Sequence, residues 1–225
     1  MGIVNKNFIL NDNITEILEV RHLNSSSYIL KFQRKNIQFQ AGQYICLGTD
    51  NPVYLREYSI YSGENDDFLE VLIKEVDEGD LSKRFKKCKP GDKIFYDGPF
   101  GSFVLDKDEM ANKKYCFLAT GTGISPFHSF VKSYPQLDYK LIHGVSLGED
   151  AYERRHYKTD NYFLCTSKDK SGNFQGRLTD YIKNNFQGKD TLYYLCGNGN
   201  MIYDANSILK NQGVPVDNIF FEIYF

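Results

Sequence analysis

At 225 residues the chain can form one large domain or two small ones, and its net charge of -2 offers no basic field for nucleic acid or an anionic membrane. No apolar run is long enough to span a bilayer, and Met1 to Leu10 is too short and too polar for a secretory signal. Five scattered cysteines, an odd number without zinc or iron–sulfur spacing, suit a reducing cytoplasm, and the four histidines are too dispersed to raise the expectation of a metal site.

From Ile14 to about Gly101 the pattern is β. Strands are expected at Thr15–Val20, Tyr28–Phe32, Gln43–Leu47, Tyr58–Tyr61, Phe68–Lys74 and Lys93–Tyr96. Turn residues separate them at Ala41-Gly42, Asn51-Pro52, Ser62-Gly63, Pro90-Gly91 and Gly98-Pro99, the last read as a tight turn leaving this region. Short strands at this spacing predict an antiparallel barrel or sandwich. One helical piece, Leu81 to Phe85, interrupts them directly after Glu78-Gly79-Asp80.

Two groups of residues in this half carry chemistry. In Arg56-Glu57-Tyr58-Ser59, a strand puts Arg56 and Tyr58 on one face and Ser59 on the other. A guanidinium beside an aromatic ring can hold a phosphate while the ring stacks on a flat heterocycle. The same residues also suit a half-exposed strand with a surface arginine. In Gly79-Asp80-Leu81-Ser82, a helix start offers amides and a hydroxyl to a phosphate, or is an ordinary first turn capped by Asp80.

After the polar stretch Asp106 to Glu109 the pattern changes to alternating strand and helix. Strands are expected at Tyr115–Ala119, Tyr139–Val145, Tyr162–Cys165, Thr191–Cys196 and Ile219–Ile223, with helices at Ile124–Tyr134, Leu178–Asn185 and Met201–Asn211. Near-continuous apolar strands alternating with helices predict a parallel sheet covered on both faces. The division reads as 1–108 and 109–225. Ligands of such sheets bind beyond the carboxyl ends of the strands. That position holds Gly121-Thr122-Gly123, His143 to Ser146, Thr166-Ser167-Lys168 and Cys196-Gly197. The Gly-Thr-Gly turn lacks the third glycine of the dinucleotide fingerprint, so it gives a close backbone approach rather than a full phosphate cradle. Ser167, Lys168 and Arg177 together offer a hydroxyl and two cations, the chemistry a ribose 2′-phosphate requires. The same run also suits a solvated loop. His143 reads as a structural residue at a strand end, and Cys196 as either packing or a site residue.

The ordered set is more specific than any member. It runs Arg56-x-Tyr58-Ser59, Gly79-x-x-Ser82, Gly98-Pro99-x-Gly101, Gly121-Thr122-Gly123-Ile124-x-Pro126, Cys196-Gly197-x-x-x-Met201 and Glu222-Ile223-Tyr224. It resembles the ferredoxin–NADP reductase superfamily from about Glu16 to Phe225. The resemblance implies a flavin-binding antiparallel β-barrel followed by an α/β parallel-sheet domain for the pyridine nucleotide. It implies FAD held by Arg56, Tyr58, Ser59, Ile73, Lys74, Gly79, Leu81 and Ser82. NADP(H) would be held by Gly121, Thr122, Gly123, Ser167, Lys168 and Arg177. Ser59, Cys196, Glu222 and Tyr224 would form the reacting centre, with either Tyr224 or Phe225 covering the flavin.

The implied activity is hydride transfer between NADP(H) and flavin, with single electrons passed to or from an acidic ferredoxin or flavodoxin. The alternatives are an NAD(P)H:flavin or small-molecule reductase of the same superfamily, or a catalytically silent interaction subunit. The resemblance leaves the FAD adenine exposed or held by a neighbouring chain, so a monomer or a homodimer fits. Lys83, Arg84, Lys86, Lys87 and Lys89 offer a cationic face to an acidic partner, or form a solvated helix face.

Overall fold

The computed structural model describes residues 13–49, 54–76 and 79–224. The first half forms six strands: β1 (Ile14–His22), β2 (Ser27–Gln33), β3 (Tyr44–Gly48), β4 (Arg56–Ser59), β5 (Phe68–Lys74) and β6 (Lys93–Phe100). They pair antiparallel in the order β4-β3-β6-β1-β2-β5. A bridge between Ile60 and Val71, backed by the Tyr61 amide donating to the Glu70 carbonyl at 2.7 Å, ties the two edges together. The sheet therefore closes as a barrel, which removes its edges.

Strand alternation explains how the barrel fills. Tyr28, Leu30 and Phe32 of β2 point inward with Ile45, Leu47, Leu69, Val71 and Phe85. Ile29 points outward, yet it is fully buried. It joins Tyr61, Leu72, Phe117, Phe127, Phe130 and Tyr194 in a core shared with the second half. The run Tyr28-Ile29-Leu30 of β2 is apolar without interruption because both faces are covered there, the same reason that parallel strands read as continuous apolar runs.

The helix α1 (Asp80–Lys87) packs Phe85 into the barrel. It is longer than the sequence pattern predicts at both ends. Gly98-Pro99 is not the exit turn expected. β6 runs through it to Phe100, and the irregular register opposite Tyr44 and Cys46 accommodates the proline. The expected Asn51-Pro52 turn lies outside the described residues.

The second half is a parallel sheet of β7 (Tyr115–Thr120), β8 (Tyr139–Val145), β9 (Tyr162–Thr166), β10 (Phe174–Gln175), β11 (Leu192–Asn198) and β12 (Ile219–Tyr224), in the order β10-β9-β8-β7-β11-β12. The short edge strand β10 was not expected; two residues carry too little periodicity to register. Helix α2 (Ser125–Ser133) lies on the face turned to the barrel, while α3 (Leu178–Asn184) and α4 (Gly199–Asn211) cover the other. Pro126 sits in the first turn of α2, where its missing N–H costs nothing. α2 is stapled to the barrel by Ser129 Oγ donating to the Ser62 carbonyl at 2.7 Å, and Lys132 pairs with Asp66 at 2.6 Å. α4 begins at Gly199, two residues earlier than its apolar pattern, because the Asn198 side chain accepts from the amides of Asn200 and Met201.

Candidate active site

Three side chains from opposite ends of the chain meet where the barrel abuts the parallel sheet. The Tyr224 hydroxyl donates to Ser59 Oγ at 2.5 Å, and Ser59 Oγ donates to Glu222 Oε1 at 3.0 Å. β4 delivers Ser59 and β12 delivers the other two, two residues apart and therefore on one face of the strand. Parallel register sets Glu222 beside Cys196 of β11. Cys196 is fully buried, and Tyr224 lies against its thiol.

Burial and the Glu222 charge push the Cys196 thiol well above its ordinary range. Burial does the same to the Tyr224 phenol, aided by Cys196 and Glu222, so both are neutral at physiological pH. Glu222 is half-buried, and its carboxyl is also raised. Burial is the main cause and the charge of Glu57 adds to it, while the Ser59 hydrogen bond opposes it.

On the barrel side Arg56 is exposed, and Tyr58 is half-buried with its ring edge-on to Phe85 at 6.0 Å. Gly79 is the N-cap of α1 with no side-chain cap. The Ser82 hydroxyl turns inward, donating to the Gly79 carbonyl at 3.3 Å with the Val76 amide 3.5 Å away. That hydroxyl is engaged in the local turn, so the first turn offers a phosphate its amides rather than this side chain. Leu81 and Ile73 pack with the barrel core, Ile73 fully. Lys74 points elsewhere: its ammonium pairs with Asp150 at 3.2 Å and lines the cleft of the second half.

That cleft has a volume of about 380 Å³ and lies beyond the carboxyl ends of β7, β8, β9 and β11. Gly121, Ser146, Ser167, Arg177, Asn198 and Met201 are among its lining residues. Ser167 and Arg177 both line it; Lys168 is exposed, its amide bonded to the Ser146 carbonyl, and is not among the lining residues.

The two glycines of the Gly-Thr-Gly turn have different jobs. Gly121 adopts a φ of +53°, and a Cβ there would meet nothing within 4 Å. It opens the turn to the cleft. A Cβ on Gly123 would lie 2.4 Å from the Cys196 carbonyl oxygen and 2.6 Å from Gly197 Cα. Gly123 is needed for the turn to reach the β11 backbone, not to clear a ligand's path. Thr122, half-buried, accepts the Ser125 hydroxyl at its carbonyl.

Two residues outside the expected binding set hold this turn. Buried His143 has Nε2 2.9 Å from the Gly121 carbonyl, which can only accept, so Nε2 carries the proton and Nδ1 accepts from the Tyr162 hydroxyl at 2.9 Å. Burial lowers its pKa to about 4, which keeps the ring neutral. Thr120 Oγ1 accepts the Asn198 amide at 2.9 Å, linking the β7 and β11 turns. A polar residue closing an apolar strand before Gly was the sequence signal for Thr120.

These surfaces fit two planar cofactors with phosphates. The barrel offers an aromatic face, an exposed guanidinium and uncapped helix amides, and the sheet offers an open glycine turn with donors below it. The family description "Oxidoreductase FAD-binding domain" matches residues 15–105, and "Oxidoreductase NAD-binding domain" matches residues 117–207. The chain belongs to the ferredoxin–NADP reductase family of FAD- and NAD-binding oxidoreductases.

Among curated relatives, this family member is 27% identical to the ferredoxin–NADP reductase of Azotobacter vinelandii over 92% of both chains. It is 26% identical to the toluate 1,2-dioxygenase electron transfer component of Pseudomonas putida, covering 92% of this chain and 66% of that one. Among solved structures, a Neisseria gonorrhoeae ferredoxin–NADP+ reductase with bound FAD and NADP superposes with a TM-score of 0.84 at 25% identity, covering 94% of this chain and 98% of that one. Among the described residues no helix is long and apolar enough to cross a membrane. Phe225, the other candidate to cover the flavin, lies outside the described residues.

Proposed function

We propose that this oxidoreductase uses NADP(H) in preference to NAD(H) and exchanges single electrons with ferredoxin or flavodoxin. The observation that carries the reading is the Tyr224–Ser59–Glu222 chain beside Cys196, which joins the flavin barrel to the nucleotide sheet. When bound, FAD and NADP(H) supply the redox chemistry: hydride exchange between the two rings, and single electrons onward.

The residues of this chain then have four tasks. Tyr58 and Arg56 hold the flavin ring and its phosphates, with the α1 amides helping. Gly121 and Thr122 seat the nucleotide, and Ser167 and Arg177 meet its 2′-phosphate. Tyr224 occupies the junction, so nicotinamide entry must move it. Its ring stacking is worth about 1 kcal/mol and its hydrogen bond to Ser59 about another, which nucleotide binding can offset. Glu222, raised by burial, holds or gives up a proton through Ser59.

The cations of α1 and the residues after it suit an acidic partner, although Arg84 pairs with Asp80 at 2.7 Å and Lys86 with Glu75 at 2.9 Å, which trims the field. The five free cysteines fit a cytoplasmic protein, and we place the divide between the two domains at residues 108 and 109, which fall between β6 and β7.

The absorbance spectrum of the purified flavoprotein tests this reading. NADPH should bleach the flavin band far faster than NADH, and reduced enzyme should pass electrons to a ferredoxin or flavodoxin at a rate that falls with ionic strength. Equal bleaching by both nucleotides would remove the NADP preference. Transfer only to free flavins would favour the flavin-reductase alternative.

A further inference from the structure

Two of the four histidines converge on a carboxylate on the side of α2 that faces the barrel. His128 is 3% exposed, with its Nδ1 2.6 Å from the Tyr61 carbonyl. A carbonyl only accepts, so Nδ1 carries the proton and Nε2 presents a lone pair. That Nε2 faces His156 Nδ1 at 3.1 Å, which in turn lies 3.5 Å from Glu153 Oε2. The three atoms all lie within 4.8 Å of one another.

Glu153 is the unusual member. Its side chain is 5% exposed. Oε1 accepts from Arg21 Nη1 at 2.5 Å, but Oε2 is buried with no hydrogen-bond partner. The Tyr61 hydroxyl interacts with Glu153 and with Tyr157, but neither it nor Oε2 completes a hydrogen bond of normal geometry. A buried carboxylate oxygen left bare is costly. A hydrogen bond between the two imidazoles satisfies the nitrogens and does nothing for this oxygen. Arg21 is shared between two buried carboxylates, Glu153 at 2.5 Å and Glu70 at 3.8 Å, and Lys132 and Lys31 also act on Glu70.

We propose that His128 Nε2, His156 Nδ1 and Glu153 Oε2 bind a divalent transition-metal cation of the zinc class, with solvent completing a four-coordinate shell. Bonds of about 2.0–2.1 Å in a tetrahedron put ligand atoms roughly 3.3 Å apart; two of the three separations, 3.1 and 3.5 Å, bracket that value, and the third is within 4.8 Å. The supporting shell is already in place. The Tyr61 carbonyl fixes the His128 tautomer, and Arg21 holds the second carboxylate oxygen. His156 is exposed, which opens the site to solvent. None of the three ligands lines the nucleotide cleft or belongs to the Ser59 chain. The ion's role is structural: it ties α2 and the 153–157 segment to the barrel through Tyr61 and Arg21. It also revises the expectation of no metal site, because histidines 28 residues apart are neighbours only in the fold.

The test uses the FAD-loaded full chain after chelation and dialysis. Addition of Zn2+ alone should give one equivalent bound per chain and a higher melting temperature, and Co2+ should give the visible absorption of a four-coordinate N/O site. His156→Ala removes a half-exposed ligand without disturbing the core. It should weaken uptake by more than about tenfold, the least expected when even an outer-shell partner is lost, and leave NADPH bleaching of the flavin unchanged. Failure of the wild-type chain to bind an equivalent of Zn2+, or equal uptake by His156→Ala, would overturn the site.

Discussion

Gly123→Ala is the most informative single change in the nucleotide half. The added methyl would sit 2.4 Å from the Cys196 carbonyl oxygen and 2.6 Å from both the Cys196 carbonyl carbon and Gly197 Cα. All three are backbone atoms, so no side chain can swing away. Reaching an ordinary contact of about 3.4 Å requires a shift of roughly 1 Å, and overpacking of this kind costs about 1–3 kcal/mol. The turn is poorly placed to yield. His143 holds the Gly121 carbonyl at 2.9 Å, and Ser125 holds the Thr122 carbonyl at 2.7 Å. The displacement therefore falls on the Cys196 end of β11, against Tyr224 and Glu222.

A misplacement of about 1 Å at a reacting centre can cost on the order of 100-fold in rate. Stopped-flow bleaching of bound FAD by NADPH should slow by about that factor, while FAD stays bound. The melting temperature should fall by roughly 2–12 °C, from about 2–4 °C per kcal/mol for a chain of this size. Gly121→Ala is the control. It meets no atom within 4 Å but must adopt a φ of +53°, at a cost of about 1–2 kcal/mol. It should lose less rate than Gly123→Ala. A Gly123→Ala protein with wild-type rate and melting temperature would refute the packing argument, and one that loses FAD would assign the turn to the other cofactor.

The other predictions are more local. Tyr224→Ser removes the ring that nicotinamide must displace, so NADP+ should bind more tightly by about 10-fold or more, the equivalent of some 1–2 kcal/mol; unchanged affinity and unchanged hydride-transfer rate would exclude a gate. Arg177→Ala should weaken NADPH by roughly 10- to 100-fold, the value of a charged hydrogen bond, and leave NADH almost unaffected; equal losses for both nucleotides would show that Arg177 does not read the 2′-phosphate. His143 has a folded pKa near 4 against an ordinary value of 6.5, so the unfolded chain binds its proton first. Its contribution is present above pH 6.5 and lost as pH falls from 6.5 toward 4, on the order of 3 kcal/mol in all. Urea unfolding followed across that range should show a shallower acid loss in His143→Gln than in the parent chain, and parallel curves would dismiss the linkage.

The two-part architecture is legible in the residues alone, because short strands with turn residues between them in the first half and continuous apolar strands alternating with helices in the second are consequences of local geometry. The sequence also placed Arg56, Tyr58 and Ser59 on one strand and put Gly121, Ser167 and Arg177 at strand ends, where topology makes clefts. It misread Gly98-Pro99 as an exit turn, since the extra residue that β6 carries between its pairings with Cys46 and Tyr44 shows only against the partner strand. It set Gly123 against the ligand, when the neighbour that requires a glycine is the backbone of Cys196.

Which distant residues meet depends on how the elements pack. Ser59 touches Glu222 and Tyr224 across separations of 163 and 165 residues. His128 faces His156, and Ile29 of the barrel joins the core of the sheet. Periodicity records which face of an element is buried but not what buries it. That partner is chosen by the sheet order, in which β11 lies between β7 and β12, and by the docking of α2 onto the barrel.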